Sequence, residues 1–433
     1  MKLTDLIVKE TANLSGTVRA PPSKSLTHRA LIAAALSEGR SEIREPLICD
    51  DTLATIHACR MLGTEIARIE EDAFEVHGRG KPLTPRDVID CRDSGSTMRF
   101  LTPVCALAEG ISVLTGGESL RSRPMQPILK ALRQLGVECY SSLPDGHPPI
   151  IVFGGGIEGG ETSMRGDVSS QFVSGLLFAA PMARSDTDIL VSTPLESKPY
   201  VRITVDTLRE HGVAVEVQQD CSRFHLPSGQ TYSPSDHAIE GDYSSAAFLL
   251  AAAAITNSHL RVNNLKPNSS QADQVIVGLL EKMGVQIGVG RGFVEVRGVE
   301  DDLRPVDVDL RDSPDLVPVC AVLSSIALGE SVIRGVERLR FKESDRISAL
   351  SQELTKLGAK VTALDGALKI EGRRRLRGAE LNAQGDHRIA MACVVAALKA
   401  EGTTMIHGAE CISKSYPDFV RDIMLLGGQV FEQ

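Results

Sequence analysis

The chain has 433 residues, more than one ordinary core accommodates, so two domains are expected. Hydrophobic residues at 42% and charged residues at 24% fit a globular protein, and the longest apolar runs, such as 246–255, are too short to cross a bilayer. A net charge of −9, only 4% aromatics and no Trp argue against a nucleic-acid partner.

In chain order, the first element is a strand-like piece, "KLTDLIVKE", which carries no apolar signal core. Next comes "PPSKSLTHRALIAAAL" from Pro21 to Leu36, a polar loop running into an apolar helix. The same sequence of events then repeats. Five further polar loops lead into apolar stretches: "RDSGSTMRFLTPVCAL", "GDVSSQFVSGLLFAA", "GDYSSAAFLLAAAAI", "RDSPDLVPVCAVLSSIAL" and "QGDHRIAMACVVAAL". Helices apolar nearly all round are buried on all sides. Each is followed by a second helical pattern that ends in Gly: Gly63, Gly136, Gly212, Gly284, Gly358 and Gly427, at near-even spacing. Glycine just past a helix is the usual left-handed cap. Five repeats close on a strand ending near Gly, and the sixth is cut short by the C-terminus.

The repeat therefore reads strand, buried helix, strand, helix, strand, strand. It occurs six times and divides into two domains of three, because one unit cannot bury its own helix. If the N-terminal strand completes the truncated last unit, residues 1–20 and 241–433 form one domain and residues 21–240 the other. The chain then crosses twice, near 21 and near 240. Two crossings predict a hinge, a cleft as the binding site, and a form that is open without ligand and closes on binding.

Charged and hydroxyl residues gather where these helices start, and helix starts offer free N–H donors to anions. Lys24, Ser25 and Arg29 open the first helix, where Ser23 or Ser25 also serves as an ordinary N-cap. "RDSGSTMRF" puts Gly95 in a tight turn ahead of Arg99. "RSRP" places Arg121 and Arg123 before a helix opened by Pro124. "DVSSQ" offers Ser169, Ser170 and Gln171, and capping accounts for only one of the serines. "SKPY" offers Ser197, Lys198 and Tyr200. In the second half, Asp315 follows Pro314, either as a first-turn carboxylate on the helix dipole or as a functional group. "RFKESDR" crowds Lys342, Glu343, Asp345 and Arg346 together, which alone reads equally as a solvated charged face. Asp386, His387 and Arg388 lead into a buried helix, and "SKSYPDF" supplies Lys414.

The nine cysteines show no CxxC and no zinc-like spacing, which suits a reduced, cytoplasmic protein. There is no Walker A sequence. The remaining inventory, cations in excess with two carboxylates, Asp315 and Glu343, suits two small anions with an acid and a base.

These stretches resemble the 5-enolpyruvylshikimate-3-phosphate synthases of the enolpyruvyl transferase superfamily. "SKSLTHRAL", "DSGSTMRF", "GDVSSQF", "SKPY", "FKESDR", "GDHRIAMA" and "KSYPDF" occur in the family's order across the whole chain. The resemblance implies an inverse α/β prism of six βαβαββ repeats, three per domain. It implies transfer of the enolpyruvyl group of phosphoenolpyruvate to the 5-hydroxyl of shikimate 3-phosphate, by addition and elimination through a tetrahedral intermediate, on the route to chorismate and the aromatic amino acids. It implies no metal and no organic cofactor, no nucleic-acid or membrane partner, and a monomer.

Carried over by position, Lys24 contacts both substrates. Ser25, Arg29, Ser169, Ser170, Gln171, Ser197, Asp315 and Lys342 hold shikimate 3-phosphate. Gly95, Arg121, Gln171, Arg346, Arg388 and Lys414 hold phosphoenolpyruvate. Asp315 accepts the hydroxyl proton, and Glu343 handles the proton at the enolpyruvyl methylene. The resemblance also implies glyphosate binding in the phosphoenolpyruvate site. Two positions depart from some members: Phe100 stands where they have Pro, and Arg338 where they have an Asn that touches the shikimate. A UDP-N-acetylglucosamine enolpyruvyl transferase is a rival reading, but it has "KN" where this chain has Lys24–Ser25, and usually a Cys in the loop that here reads "TGGESLRSR". A non-catalytic anion-binding protein is the other.

Overall fold

A computed structural model describes residues 4–299 and 301–433. The chain folds as two compact units. One joins the residues up to Pro21 to Glu240–Gln433, and the other is Pro22–Ile239.

Pro22–Ile239 is built from three four-stranded sheets of one pattern. In each, a short first strand lies parallel to the second, and the last two strands run antiparallel. Parallel neighbours need a long crossover. In two of the sheets the crossover is an apolar helix, Gly95–Cys105 or Ser170–Ala179, and the apolar helix Lys24–Leu36 leads into strand Glu38–Arg44 of the remaining one. These helices have little or no solvent-facing stripe and pack together into one apolar core. The first repeat takes its first strand from the far end of the unit. His237–Ala238 pairs with Ile43–Arg44, a closure that local pattern did not announce.

The other unit repeats the plan with Tyr243–Ile255, Val317–Ile326 and His387–Ala397 as its buried helices, around a core of its own. The N-terminal segment forms two strands where the sequence suggested one. Leu6–Lys9 sits between Thr403–His407 and Val430–Glu432, antiparallel to both, and so completes the sixth sheet as expected. Ser15–Arg19 pairs with His259–Asn263 and opens the fourth.

Two glycine sets explain why the repeat keeps its spacing. The six helix-ending glycines all have positive φ, between 77° at Gly212 and 99° at Gly358 and Gly427, as left-handed caps require. A second set lets the last strand pass close to the end of the buried helix. A Cβ at Gly154 would lie 2.0 Å from the Ala108 carbonyl oxygen, and one at Gly372 would lie 2.0 Å from that of Ala327.

Gly154→Ala should therefore cost about 1–3 kcal/mol or more, because the obstacle is backbone and not a flexible side chain. An unchanged urea midpoint would contradict this close approach.

A histidine pair joins the end of helix Lys198–Glu210 to the closing strand His237–Ala238. His211 and His237 stack, with their Nε2 atoms 2.8 Å apart sharing one proton. His211 Nδ1 also meets Ser37 Oγ at 2.9 Å. Burial lowers the basicity of both, and His237 is brought down to about 4 by burial and by the neighbouring His211. In the unfolded chain each histidine binds its proton near pH 6.5. The neutral pair thus contributes stability above that pH, and the contribution is lost as pH falls from 6.5 toward 4. His237→Gln should flatten the fall in urea midpoint between pH 7 and pH 4.5. A fall as steep as that of the parent would remove the pair as its cause.

Candidate active site

In Pro22–Ile239 the polar residues collect at the starts of the three buried helices. Ser23 is the N-cap of Lys24–Leu36, yet its side chain makes no capping bond, so capping does not explain the cluster. Lys24 Nζ instead pairs with Asp51 Oδ2 at 2.8 Å, with both side chains mostly covered. Asp51 was not singled out in the sequence, where "DDT" looks like ordinary acid in the first turn of a helix. Arg29 is buried and held by Thr204 Oγ1 at 2.8 Å, the Ser25 carbonyl at 2.9 Å and the Tyr200 carbonyl at 2.8 Å. Its guanidinium also lies 5.0 Å from the centre of the Phe100 ring. Burial brings Arg29 down to about 10, which still leaves it charged at neutral pH. Phe100, the departure noted above, is thus a buried platform for a cation.

The second helix start is bound to the third. Arg99 Nη1 donates to Gln171 Oε1 at 2.7 Å, and Gln171 Nε2 donates to Ser96 Oγ at 2.8 Å. Ser169 is the cap, accepting from the Gln171 N–H at 3.3 Å, and Ser170 is buried beside it. Ser197 is buried in a left-handed conformation, φ 56°, at the start of helix Lys198–Glu210.

The two arginines of "RSRP" face different surroundings. Arg121 ends the short helix Glu118–Arg121 and is exposed, and the next helix begins at Gln126, not Pro124. Arg123 is the buried one. Its Nη1 comes within 3.0 Å of where a Cβ on Gly95 would stand. The signal was present in "RSRP", but a loop sequence does not say which of two arginines turns inward.

In the other unit the charges that read equally as a solvated face are only partly exposed, and one of them, Arg346, is buried. Arg346, 1% exposed, donates through Nε to Asp386 Oδ2 at 2.8 Å, through Nη1 to Asp315 Oδ1 at 2.8 Å and through Nη2 to Glu343 Oε2 at 2.5 Å. Arg388 Nη2 reaches Asp315 Oδ2 at 3.2 Å, and Lys342 Nζ lies 3.8 Å from Asp315 Oδ1. Asp315 thus faces three cations and is no simple helix cap. Burial works to raise its carboxyl, but Arg388, Lys342 and Arg346 outweigh it and hold it well below the ordinary carboxylate range. Burial pulls Lys342 down to about 8, against the support of Asp315. Asp386 also caps its own helix, accepting from the Arg388 N–H at 2.9 Å, and Lys414 Nζ bonds the Gly385 carbonyl at 3.1 Å. Arg338 is buried and donates to the Arg311 carbonyl.

Glu343, Asp386 and His387 bring donor atoms of metal-binding type within 4.8 Å of one another. The Arg346 guanidinium already bonds both carboxylates, so it supplies the positive charge that a metal ion would otherwise bring there.

The family model described as EPSP synthase (3-phosphoshikimate 1-carboxyvinyltransferase) matches residues 8–423. The chain belongs to the EPSP synthase family. Among its relatives, the 3-phosphoshikimate 1-carboxyvinyltransferase of Methanothermobacter thermautotrophicus is 47% identical over 424 residues, covering 98% of each chain. That of Methanocaldococcus jannaschii is 44% identical over 427 residues, 98% of this chain and 99% of the other. The solved EPSP synthase of Acinetobacter baumannii superposes with a TM-score of 0.85 at 26% identity, covering all of both chains. The α/β prism of six repeats is thus this family's fold.

The Gly95 turn generates a prediction. A methyl group there must push against Arg123 and Arg99, both flexible enough to yield by a few tenths of an ångström. Gly95→Ala should keep most of kcat, raise KM for phosphoenolpyruvate several-fold, and weaken glyphosate more than it weakens the substrate. Unchanged KM and unchanged inhibition would place the ligand away from this turn.

Proposed function

We infer that this chain transfers the enolpyruvyl group of phosphoenolpyruvate to the 5-hydroxyl of shikimate 3-phosphate and releases inorganic phosphate. The observation that carries the reading is the Asp315 carboxylate, set among Arg346, Arg388 and Lys342.

The chemistry calls for such an arrangement. A neutral hydroxyl is a poor nucleophile, so a carboxylate in reach takes its proton as the oxygen attacks C2 of the enol. C3 of the enol gains a proton in the same addition. The product is a tetrahedral intermediate that still carries its phosphate. Loss of phosphate together with a proton from C3 restores the double bond. In this reading Asp315 takes the hydroxyl proton, Glu343 delivers and recovers the C3 proton, and the surrounding cations stabilise the negative oxygens throughout.

The substrate anions also alter the carboxylates. Arg346 is bonded to Asp315 and Glu343. A substrate carboxylate bound bidentately to Arg346 or Arg388 competes for those N–H groups. Asp315 then loses part of the positive field that holds its basicity down. Arrival of the donor thereby prepares the base.

We further assign shikimate 3-phosphate to Lys24, Ser25, Arg29, Ser169, Ser170, Gln171, Ser197 and Lys342. Phosphoenolpyruvate falls to Lys24, Gly95, Gln171, Arg346, Arg388 and Lys414, with Arg123 in the place first given to Arg121. Arg29 reads as support more than contact, since its guanidinium nitrogens are bonded to protein oxygens. No metal or cofactor enters any step.

Phosphate release from phosphoenolpyruvate, measured in EDTA, should require shikimate 3-phosphate and fail with UDP-N-acetylglucosamine. Asp315→Asn should lower kcat by about 10²–10⁴ while phosphoenolpyruvate still binds. Release with the sugar nucleotide alone would overturn the acceptor, and full turnover in Asp315→Asn would remove it as the base.

A further inference from the structure

Behind Asp315 and Arg388 lies a carboxyl group that the reaction as described does not use. Asp273, in the 3-10 turn Ala272–Val275, is 1% exposed. Ser244 Oγ donates to its Oδ2 at 2.5 Å, while its Oδ1 is buried without a hydrogen-bond partner. Leaving one carboxyl oxygen unpaired inside a protein costs about 1–3 kcal/mol, so the position is not explained by stability.

Its surroundings are tied to the site on two sides. The Ser244 carbonyl accepts from Arg388 Nη1 at 3.4 Å, and Arg388 Nη2 reaches Asp315 Oδ2 at 3.2 Å. Ser313 Oγ donates to the Ala272 carbonyl at 3.0 Å, which fastens the Asp273 turn to the segment that bears Asp315. Gln271 fastens the same turn to the start of helix Tyr243–Ile255, accepting from the Tyr243 N–H at 3.1 Å and donating to the Gly241 carbonyl at 2.8 Å. Asp273 thus stands where the starts of all three buried helices of its unit meet.

We propose that Asp273 is a positioning residue for the transfer, holding Arg388 through Ser244 and setting the basicity of Asp315 by its own charge. The proposal rests on the reading of Asp315 as proton acceptor. Asp315 among three cations is a weak base, and a base works best when its pKa approaches the working pH. A second negative charge behind it, facing the same Arg388, offsets part of that field. When Asp315 takes the hydroxyl proton it becomes neutral, and the charge on Asp273 keeps Arg388 compensated.

The titratable and charged groups that act on Asp273 are Asp315, Arg388, Asp242 and Cys320. Burial and the Asp315 charge push the Asp273 carboxyl up to about 7, against the opposite pull of Arg388 and of the Ser244 hydrogen bond. Burial keeps the Cys320 thiol protonated, so it adds no charge. Asp273 therefore gains its charge as pH rises through neutrality, and the transfer should quicken over the same range.

The test is single-turnover phosphate release at saturating substrates from pH 5.5 to 9, with KM for both substrates and the thermal midpoint of each variant. Asp273→Asn keeps the shape and loses the charge. It should lower the rate at pH 8 by about tenfold, abolish the rise through neutrality and leave both KM values within about twofold. Ser244→Ala removes a hydrogen bond that favours the charged form, so it should move the rise to higher pH, and it serves equally if Asp273→Asn does not fold. A rise that keeps its position in these variants, with only the thermal midpoint lowered, would make Asp273 structural and overturn the proposal. Turnover surviving in Asp315→Asn would instead overturn the reading of Asp315 on which it rests.

Discussion

A helix that is apolar on every side meets water and ligands only at its ends, and six such helices organise this protein. Gly95–Cys105, Ser170–Ala179, Val317–Ile326 and His387–Ala397 each cross over between two parallel strands of one sheet. Little polar face is left along the length of such a helix, so charged side chains gather near its start. The first turn already carries unsatisfied N–H groups and a partial positive charge. Adding Lys and Arg there raises the local potential further. The chain accepts this unfavourable arrangement because anions are its substrates. The net charge of −9 shows how local the effect is.

Buried charge has to be compensated inside the protein while substrates are absent. Arg346 illustrates how: at 1% exposure it is bonded to three carboxylates, those of Asp315, Glu343 and Asp386. Removing one partner from such a set leaves an uncompensated buried ion, which is strongly destabilising. Asp315, Glu343 and Asp386 thus balance the buried charge of Arg346 from within the protein. Substrate anions can take over that task.

Much of the fold was legible in the sequence, because repetition turns weak local signals into a strong one. A single Gly after a helix says little, whereas six at near-even spacing, all with positive φ, define the repeat. The placing of Leu6–Lys9 in the sixth sheet was also legible, since the last repeat lacked a strand and the N-terminus had one to spare. The pairing of His237–Ala238 with Ile43–Arg44 was not, because a two-residue strand has no periodicity to read. Of the site, the helix-start clusters were visible because polar residues stand out against apolar helices. Asp51 and Asp273 were hidden, since each lies on a different element from the side chain it bonds and looks like ordinary first-turn acid.

By itself, then, the sequence determined the repeat, the buried helices, the family and the residue types that meet the anions, since each is written in local pattern and order. Tertiary structure alone decided which charges are partnered and which are buried. It turned Arg123 inward and left Arg121 in solvent, made Phe100 the platform under Arg29, and joined Asp273 and Arg388 to the same residue, Ser244. Charge–charge energies and desolvation depend on distances of a few ångströms between residues far apart in the chain. Only folding sets those distances.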